Sequence, residues 1–140
     1  FANISGGYEI RNPYFKGCMG EKNISRIAGG TNGWLKACCI FEGFMDYLSY
    51  LTLLKRNCFS ICIRHPTDYI ILNSVNNIKK VQPILDEYDH IHCYLDNDNA
   101  GKVATEYIIG IQQAKAIDES YRYNGCKDLN DYLRGKQLLK

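Results

Sequence analysis

The chain has 140 residues, the size of one ordinary domain and long enough to bury a real core. Hydrophobic residues make up 46% of it and charged residues 23%, which excludes a disordered polyelectrolyte. The formal net charge of +2 is too small to argue for a nucleic-acid partner by itself, and it does not exclude one.

Tyr8–Arg11 and Tyr14–Cys18 read as short strands around the turn-prone Asn12–Pro13. Residues 20–33 are polar and glycine-rich and read as a loop, with turn signals at Gly29–Gly30 and Asn32–Gly33. Ala37–Phe41 is a short apolar run that suits a buried strand. From Gly43 to Arg56 the apolar residues Phe44, Leu48, Leu51 and Leu54 recur at helical spacing, and Lys55 and Arg56 suit the negative end of the dipole. Cys58–Ile63 reads as a further short strand, and Tyr69–Leu72 as an apolar run ended by Asn73 and Ser74. Ile78, Val81, Leu85 and Tyr88 mark a second helix, Ile91–Leu95 a strand, and Ala100–Ile111 a third helix. Glu119–Tyr123 alternates weakly, as an edge strand would, and Asp128–Leu139 reads as a closing helix. Alternating strand and helix, with three connections long enough for parallel crossovers, predicts an α/β fold: an open, mostly parallel sheet with helices on both faces. Ligands of such sheets bind beyond the C-terminal strand ends, so the residues that end the strands are the candidates.

The seven cysteines form no CxxC pair, and His65, His90 and His92 complete no zinc spacing. Cys38, Cys39, Cys62 and Cys93 sit in apolar runs and read as small core hydrophobes of a reducing, cytoplasmic compartment. No signal peptide and no apolar stretch of roughly 18 residues is present, so no membrane partner is expected. The chain starts at Phe1 without a Met, as a fragment cut from something longer would.

Two strand ends carry acids. Glu42 follows directly on Ala37–Phe41, Gly43 allows a tight turn into the helix, and Asp46 falls in the first helical turn. The plainer alternative is that Glu42 and Asp46 only complement the helix dipole. After Leu95 come Asp96, Asn97, Asp98, Asn99, Ala100 and Gly101. Residues i and i+2 of an extended segment point the same way, so Asp96 and Asp98 converge while Asn97 points away. Convergent carboxylates repel unless a cation neutralises them, and an oxygen-only set suits Mg²⁺ or Mn²⁺. The alternative here is an Asx turn with a helix cap at Asp98 or Asn99. A third acidic cluster, Asp128 and Asp131, either extends the metal site or opens a helix with Asp128 as N-cap.

Phe41-Glu42-Gly43 paired with Leu95-Asp96-Asn97-Asp98-Asn99-Ala100-Gly101 resembles the TOPRIM domain of primases, topoisomerases, OLD-type nucleases and recombination proteins. Glu42-Gly43-Phe44-Met45-Asp46 is most similar to the primase version, and Lys127-Asp128-Leu129-Asn130-Asp131 to the acidic segment that follows in primases. The lead-in residues Gly6–Asn12 and Phe15–Gly17 resemble primase-like proteins of bacterial mobile elements, especially from Bacteroides-type bacteria. The resemblance implies a TOPRIM, Rossmann-like fold of about four parallel strands over residues 37–140, with a β-rich lead-in over 1–36. It implies Glu42 as general acid/base or metal ligand, Asp96 and Asp98 as Mg²⁺ or Mn²⁺ ligands, and Asp46 and Asp128 in support. Gly43, Gly101 and Asp131 support the same segments. Asn130 stands where primases tend to carry a second acid.

The function expected on this basis is metal-dependent nucleotidyl transfer: the catalytic core of a DNA primase making RNA primers on single-stranded DNA from nucleoside triphosphates. Its further partners would be a helicase or an upstream zinc-binding domain of the same protein. Arg11, Lys16, Lys102 and Lys127 are the candidates to hold nucleotide or nucleic acid. The alternatives are a nuclease or topoisomerase-type enzyme using the same acids, and a nucleic-acid or protein interaction module with a weakened site.

Overall fold

The computed structural model describes residues 1–30 and 35–138. The Asn32–Gly33 turn and Leu139, the end assigned to the closing helix, lie outside the described residues. The lead-in opens with an antiparallel hairpin of β1 (Tyr8–Arg11) and β2 (Lys16–Met19), which pair Tyr8 with Met19 and Arg11 with Lys16. Asn12 closes its turn, accepting a hydrogen bond from the Tyr14 amide through its side chain.

A five-stranded sheet carries the rest. Its strands are β3 (Ser25–Ile27), β4 (Ala37–Phe41), β5 (Asp68–Ile71), β6 (His90–Tyr94) and β7 (Ala116–Asp118), in the spatial order β3-β5-β4-β6-β7. The last four run parallel and β3 joins the β5 edge antiparallel. The three parallel connections run through α1 (Phe44–Lys55), α2 (Ile78–Leu85) and α3 (Asn99–Gln112). The chain steps from β4 to β5 in one direction and then reverses across β4 to β6 and β7. Right-handed crossovers then put α1 on one face and α2 and α3 on the other.

The two faces have different cores. Cys38, Ile40, Ile70, Ile91 and Cys93 meet the aliphatic side of α2 and α3 through Val81, Leu85, Ala104 and Ile108. Cys39, Phe41, Ile71 and Tyr94 meet Tyr47, Tyr50 and Leu53 of α1 on an aromatic side. Phe41 lies 5.2 Å from the Tyr50 ring and 5.6 Å from the Tyr94 ring, within the range of favourable aromatic pairs. Every residue of β4 is buried, as expected for a central parallel strand covered on both faces. All seven cysteines are free thiols, and the four from the apolar runs lie in the core.

The sequence pattern misreads four segments. The loop read over 20–33 contains β3, whose three residues are too few to show alternation and whose pairing comes from β5. Cys58–Ile63 is not a strand. Its Ile61 and Cys62 plug the aromatic face as a turn, held by Tyr94 Oη donating to Ile61 O (2.6 Å) and the Ile63 amide donating to Tyr50 Oη (2.9 Å). The edge strand is Ala116–Asp118 rather than Glu119–Tyr123, of which Ser120–Tyr123 is one 3₁₀ turn. The closing helix α4 (Leu129–Leu133) is short, because Gly135 at φ +69° turns the chain away.

Gly101 fixes how α3 meets the sheet. A Cβ there would stand 2.1 Å from Asp96 O and 2.8 Å from Asp96 N, so only glycine lets the first turn of α3 lie on the end of β6. Gly101→Ala is expected to cost roughly 2–3 kcal/mol in urea unfolding. Gly110→Ala, with no atom of the described residues within 4 Å of the added methyl, should be neutral or stabilising by up to about 1 kcal/mol. Equal effects at the two positions would contradict the close approach.

Candidate functional site

Parallel pairing of β4 with β6 sets Phe41 opposite Tyr94, so Glu42 and Asp96 leave the sheet on the same edge. Three further acids, Asp46, Asp98 and Asp128, act on this edge. Asp46 lies buried in the first turn of α1 and accepts a hydrogen bond from the Asn130 amide (3.1 Å). Asp98 caps α3, its Oδ1 accepting from the Gly101 amide (3.0 Å). Asp128 caps α4, its Oδ1 accepting from the Asp131 amide (2.7 Å), and Asp131 lies in that helix's first turn. The capping roles and the clustering are therefore both present at Asp98 and Asp128.

The charges act on one another. Burial, then the charges of Glu42, Asp46 and Asp128, push Asp96 up to about 8. Burial and then Asp128 push Asp46 up to about 7, against the Asn130 amide and Arg11, which pull it down. Burial and the charge of Asp98 raise Glu42, while Lys16 and Lys127 lower it. Glu42 Oε2 is buried with no hydrogen-bond partner among the described residues. Mutual repulsion, an orphaned carboxylate oxygen and an all-oxygen donor set fit a hard divalent cation. Among the described residues no three acid, histidine or cysteine side chains close into a preformed cage.

Gly43 does not act as the sequence suggested. Its backbone is extended (φ −130°, ψ 159°), open to any residue, and a Cβ would meet only Asp46 Oδ2 at an ordinary 3.5 Å. Arg11 and Lys16 line a groove with Gly43, Met45, Asp46 and Asn73. A second hollow shares Lys16 and Asn73 and adds Lys22 and Asn76. Lys102 is exposed on α3, and no ion pair within 4 Å ties it to the acids among the described residues. Lys127 does reach them, its Nζ 3.5 Å from Asp96 Oδ2.

Sequence reading gave Asn97, Tyr123 and Asn73 no part in the site. Asn97 does turn away from the two aspartates, and its amide donates to Cys126 O (3.0 Å) while its backbone N–H donates to Lys127 O (2.7 Å). Buried Tyr123 donates to Leu95 O (2.6 Å), and the Glu119 amide to Cys93 O (2.9 Å). These bonds zip residues 119–127 along the end of β6 and bring Lys127 and Asp128 to the acids. Asn73 ends an apolar run just as Glu42 and Asp96 do, and that position was its signal; it stands beyond β5 at φ +62°.

Fold and edge together define an α/β domain that gathers carboxylates at the C-terminal end of a parallel sheet. The sequence model of the Toprim-like family matches residues 39–133, and the chain belongs to that family. A model for a domain of unknown function matches residues 1–20. No curated protein sequence matches the chain. Among solved structures, the primase fragment of the bacteriophage T7 primase-helicase protein matches with a TM-score of 0.61 and 20% identity, over 96% of this chain and 55% of that one. A second match is a chain from the structure of the bacteriophage T7 lagging-strand DNA polymerase interacting with primase domains of two gp4 subunits bound to an RNA/DNA hybrid and dTTP. It has a TM-score of 0.57 and 22% identity, over 91% of this chain and 63% of that one. The chain thus spans little more than half the length of the primase fragment whose fold it shares.

The raised acids make stability depend on pH. Folded Asp46 and Asp96 hold protons that the unfolded chain releases near pH 4, so between about pH 4 and 8 the folded state binds more protons. Stability then falls as pH rises through that window. Without divalent ions, the melting temperature is expected to be lower at pH 8.5 than at pH 5.5, and Asp96→Asn should flatten the slope. A melting temperature that rises with pH over this range would contradict the charge assignment.

Proposed function

We propose that this domain is the catalytic core of a DNA primase, joining ribonucleotides on single-stranded DNA with Mg²⁺ or Mn²⁺. The observation that carries the reading is the convergence of Glu42 and Asp96 on one sheet edge, with a buried carboxylate oxygen of Glu42 left unpartnered among the described residues. Membership of the Toprim-like family and the fold shared with a phage primase fragment support it. In this reading residues 37–140 form the catalytic unit. The lead-in over 1–36 lends β3 to its sheet and brings Arg11 and Lys16 to the groove.

Asp96 and Asp98 would hold the ion, with Glu42 and Asp128 beside them. When bound, the ion would neutralise phosphate oxygens and acidify a coordinated hydroxyl. The chain's own residues do the rest. In the reaction a primer 3′-hydroxyl oxygen bonds to the α-phosphorus of a nucleoside triphosphate, the bond to pyrophosphate breaks, and the hydroxyl proton leaves. Glu42, raised by burial and by Asp98, is the proton acceptor. Arg11 and Lys16 offer their charges to phosphates in the groove, and Lys102 offers its own to the strand outside it. Asp46 ties α4 to α1 through the Asn130 amide and keeps Asp128 in place. A helicase or a zinc-binding domain of the same protein would supply template delivery and recognition.

The test is primer synthesis on single-stranded DNA by the intact protein carrying this domain. Glu42→Gln is expected to lower turnover on the order of a hundredfold or more, with a much smaller loss of Mn²⁺ affinity. Asp96→Asn with Asp98→Asn should remove Mn²⁺ binding. Cleavage of nucleic acid without synthesis would move the assignment to a nuclease using the same acids. Synthesis unaffected by either set of substitutions would leave an interaction module.

A further inference from the structure

Asp96 and Asp98 already have a cation that belongs to the chain. Lys127 Nζ lies 3.5 Å from Asp96 Oδ2 and 3.8 Å from Asp98 Oδ2. Asp98 Oδ1 is committed to the Gly101 amide, so Oδ2 is the oxygen that remains for a cation, and it is the one Lys127 approaches. The backbone on either side of Lys127 is fixed. Asn97 holds Cys126 O and Lys127 O, and Asp128 opens α4 with its own cap. The side chain itself is free to leave, being 49% exposed. Its separations are also longer than the roughly 2.7–2.9 Å of a tight charge-assisted hydrogen bond.

We propose that Lys127 is a tethered counter-cation, which occupies the Asp96–Asp98 pair before a divalent ion does and which that ion must displace. The inference rests on reading Asp96 and Asp98 as metal ligands. A half-buried cluster of acids at this edge cannot stand fully charged without a partner. An ammonium on an anchored backbone supplies one at an effective concentration that no free ion matches. The divalent ion, with twice the charge and no tether, wins the oxygens only by paying back that local advantage. Metal affinity is therefore set by Lys127 as well as by the acids, and a site with modest affinity results.

The test uses Mn²⁺ alone, without nucleotide or DNA, with free Mn²⁺ counted by electron paramagnetic resonance at pH 8 in the intact protein. Lys127→Met is expected to bind Mn²⁺ about tenfold more tightly, since a positive charge has left the site. Lys127→Arg should stay within about twofold of the natural protein. The metal-free Lys127→Met protein should also melt at a lower temperature, its acids having lost their neighbour. Mn²⁺ affinity that is unchanged or weaker in Lys127→Met, while Asp96→Asn/Asp98→Asn still abolishes binding, would overturn the counter-cation role and leave the ligand assignment standing. Mn²⁺ binding that survives Asp96→Asn/Asp98→Asn would overturn both.

Discussion

The pairing of Phe41 with Tyr94 carries Glu42 and Asp96 past the ends of adjacent parallel strands, and like charges brought together in a partly dry place repel. Much of the local structure compensates for that repulsion. Asp98 and Asp128 satisfy the first amides of α3 and α4, which turns part of the excess negative charge into capping. Asp46 accepts the Asn130 amide across the α1–α4 contact. Lys127 lies over the remaining oxygens. What is left without a partner among the described residues is the buried Oε2 of Glu42.

The reversal of winding direction at β4 explains why the acids gather there. Strands on either side of β4 are fed by helices on opposite faces, and the strand ends between them stay uncovered. The aromatic side of the core then shapes one wall. Tyr50 and Tyr94 send their hydroxyls to the irregular segment after α1, and Tyr123 sends its own to Leu95 O. Buried tyrosine hydroxyls thus replace ladder hydrogen bonds where the chain leaves regular structure, which keeps buried backbone groups paired.

The sheet was legible because its strands are continuous apolar runs and its helices keep their spacing. β4, β5, β6, α2 and α3 announce themselves that way; α1 was legible as a helix but not by its face, since Leu48 is exposed and Tyr47, Tyr50 and Leu53 are the residues that meet the sheet. The strand-end acids Glu42, Asp96 and Asp98 were legible for the same reason, since a carboxylate directly after a buried run stands out. β3 and β7 were not, because three-residue edge strands take their conformation from a neighbour rather than from their own pattern. The 58–63 segment was misread because burial by plugging and burial by pairing leave the same apolar signature. Asn97 was seen to point away from the acids, yet its partners lie 23 to 29 residues on and are carbonyls, which carry no side-chain signal at all.

Asp98 and Asp128 each serve a helix as well as the edge, whereas Asp96 caps nothing. This asymmetry governs how the domain can decay over evolutionary time. A lineage released from the proposed chemistry can exchange Asp96 for many small residues and relieve repulsion. At 98 and 128 drift is channelled toward asparagine and serine, which drop the charge and keep the helix start. An alignment with a varied 96 beside Asn or Ser at 98 and 128 would therefore be the signature of a relative that kept the scaffold without the charge of these acids.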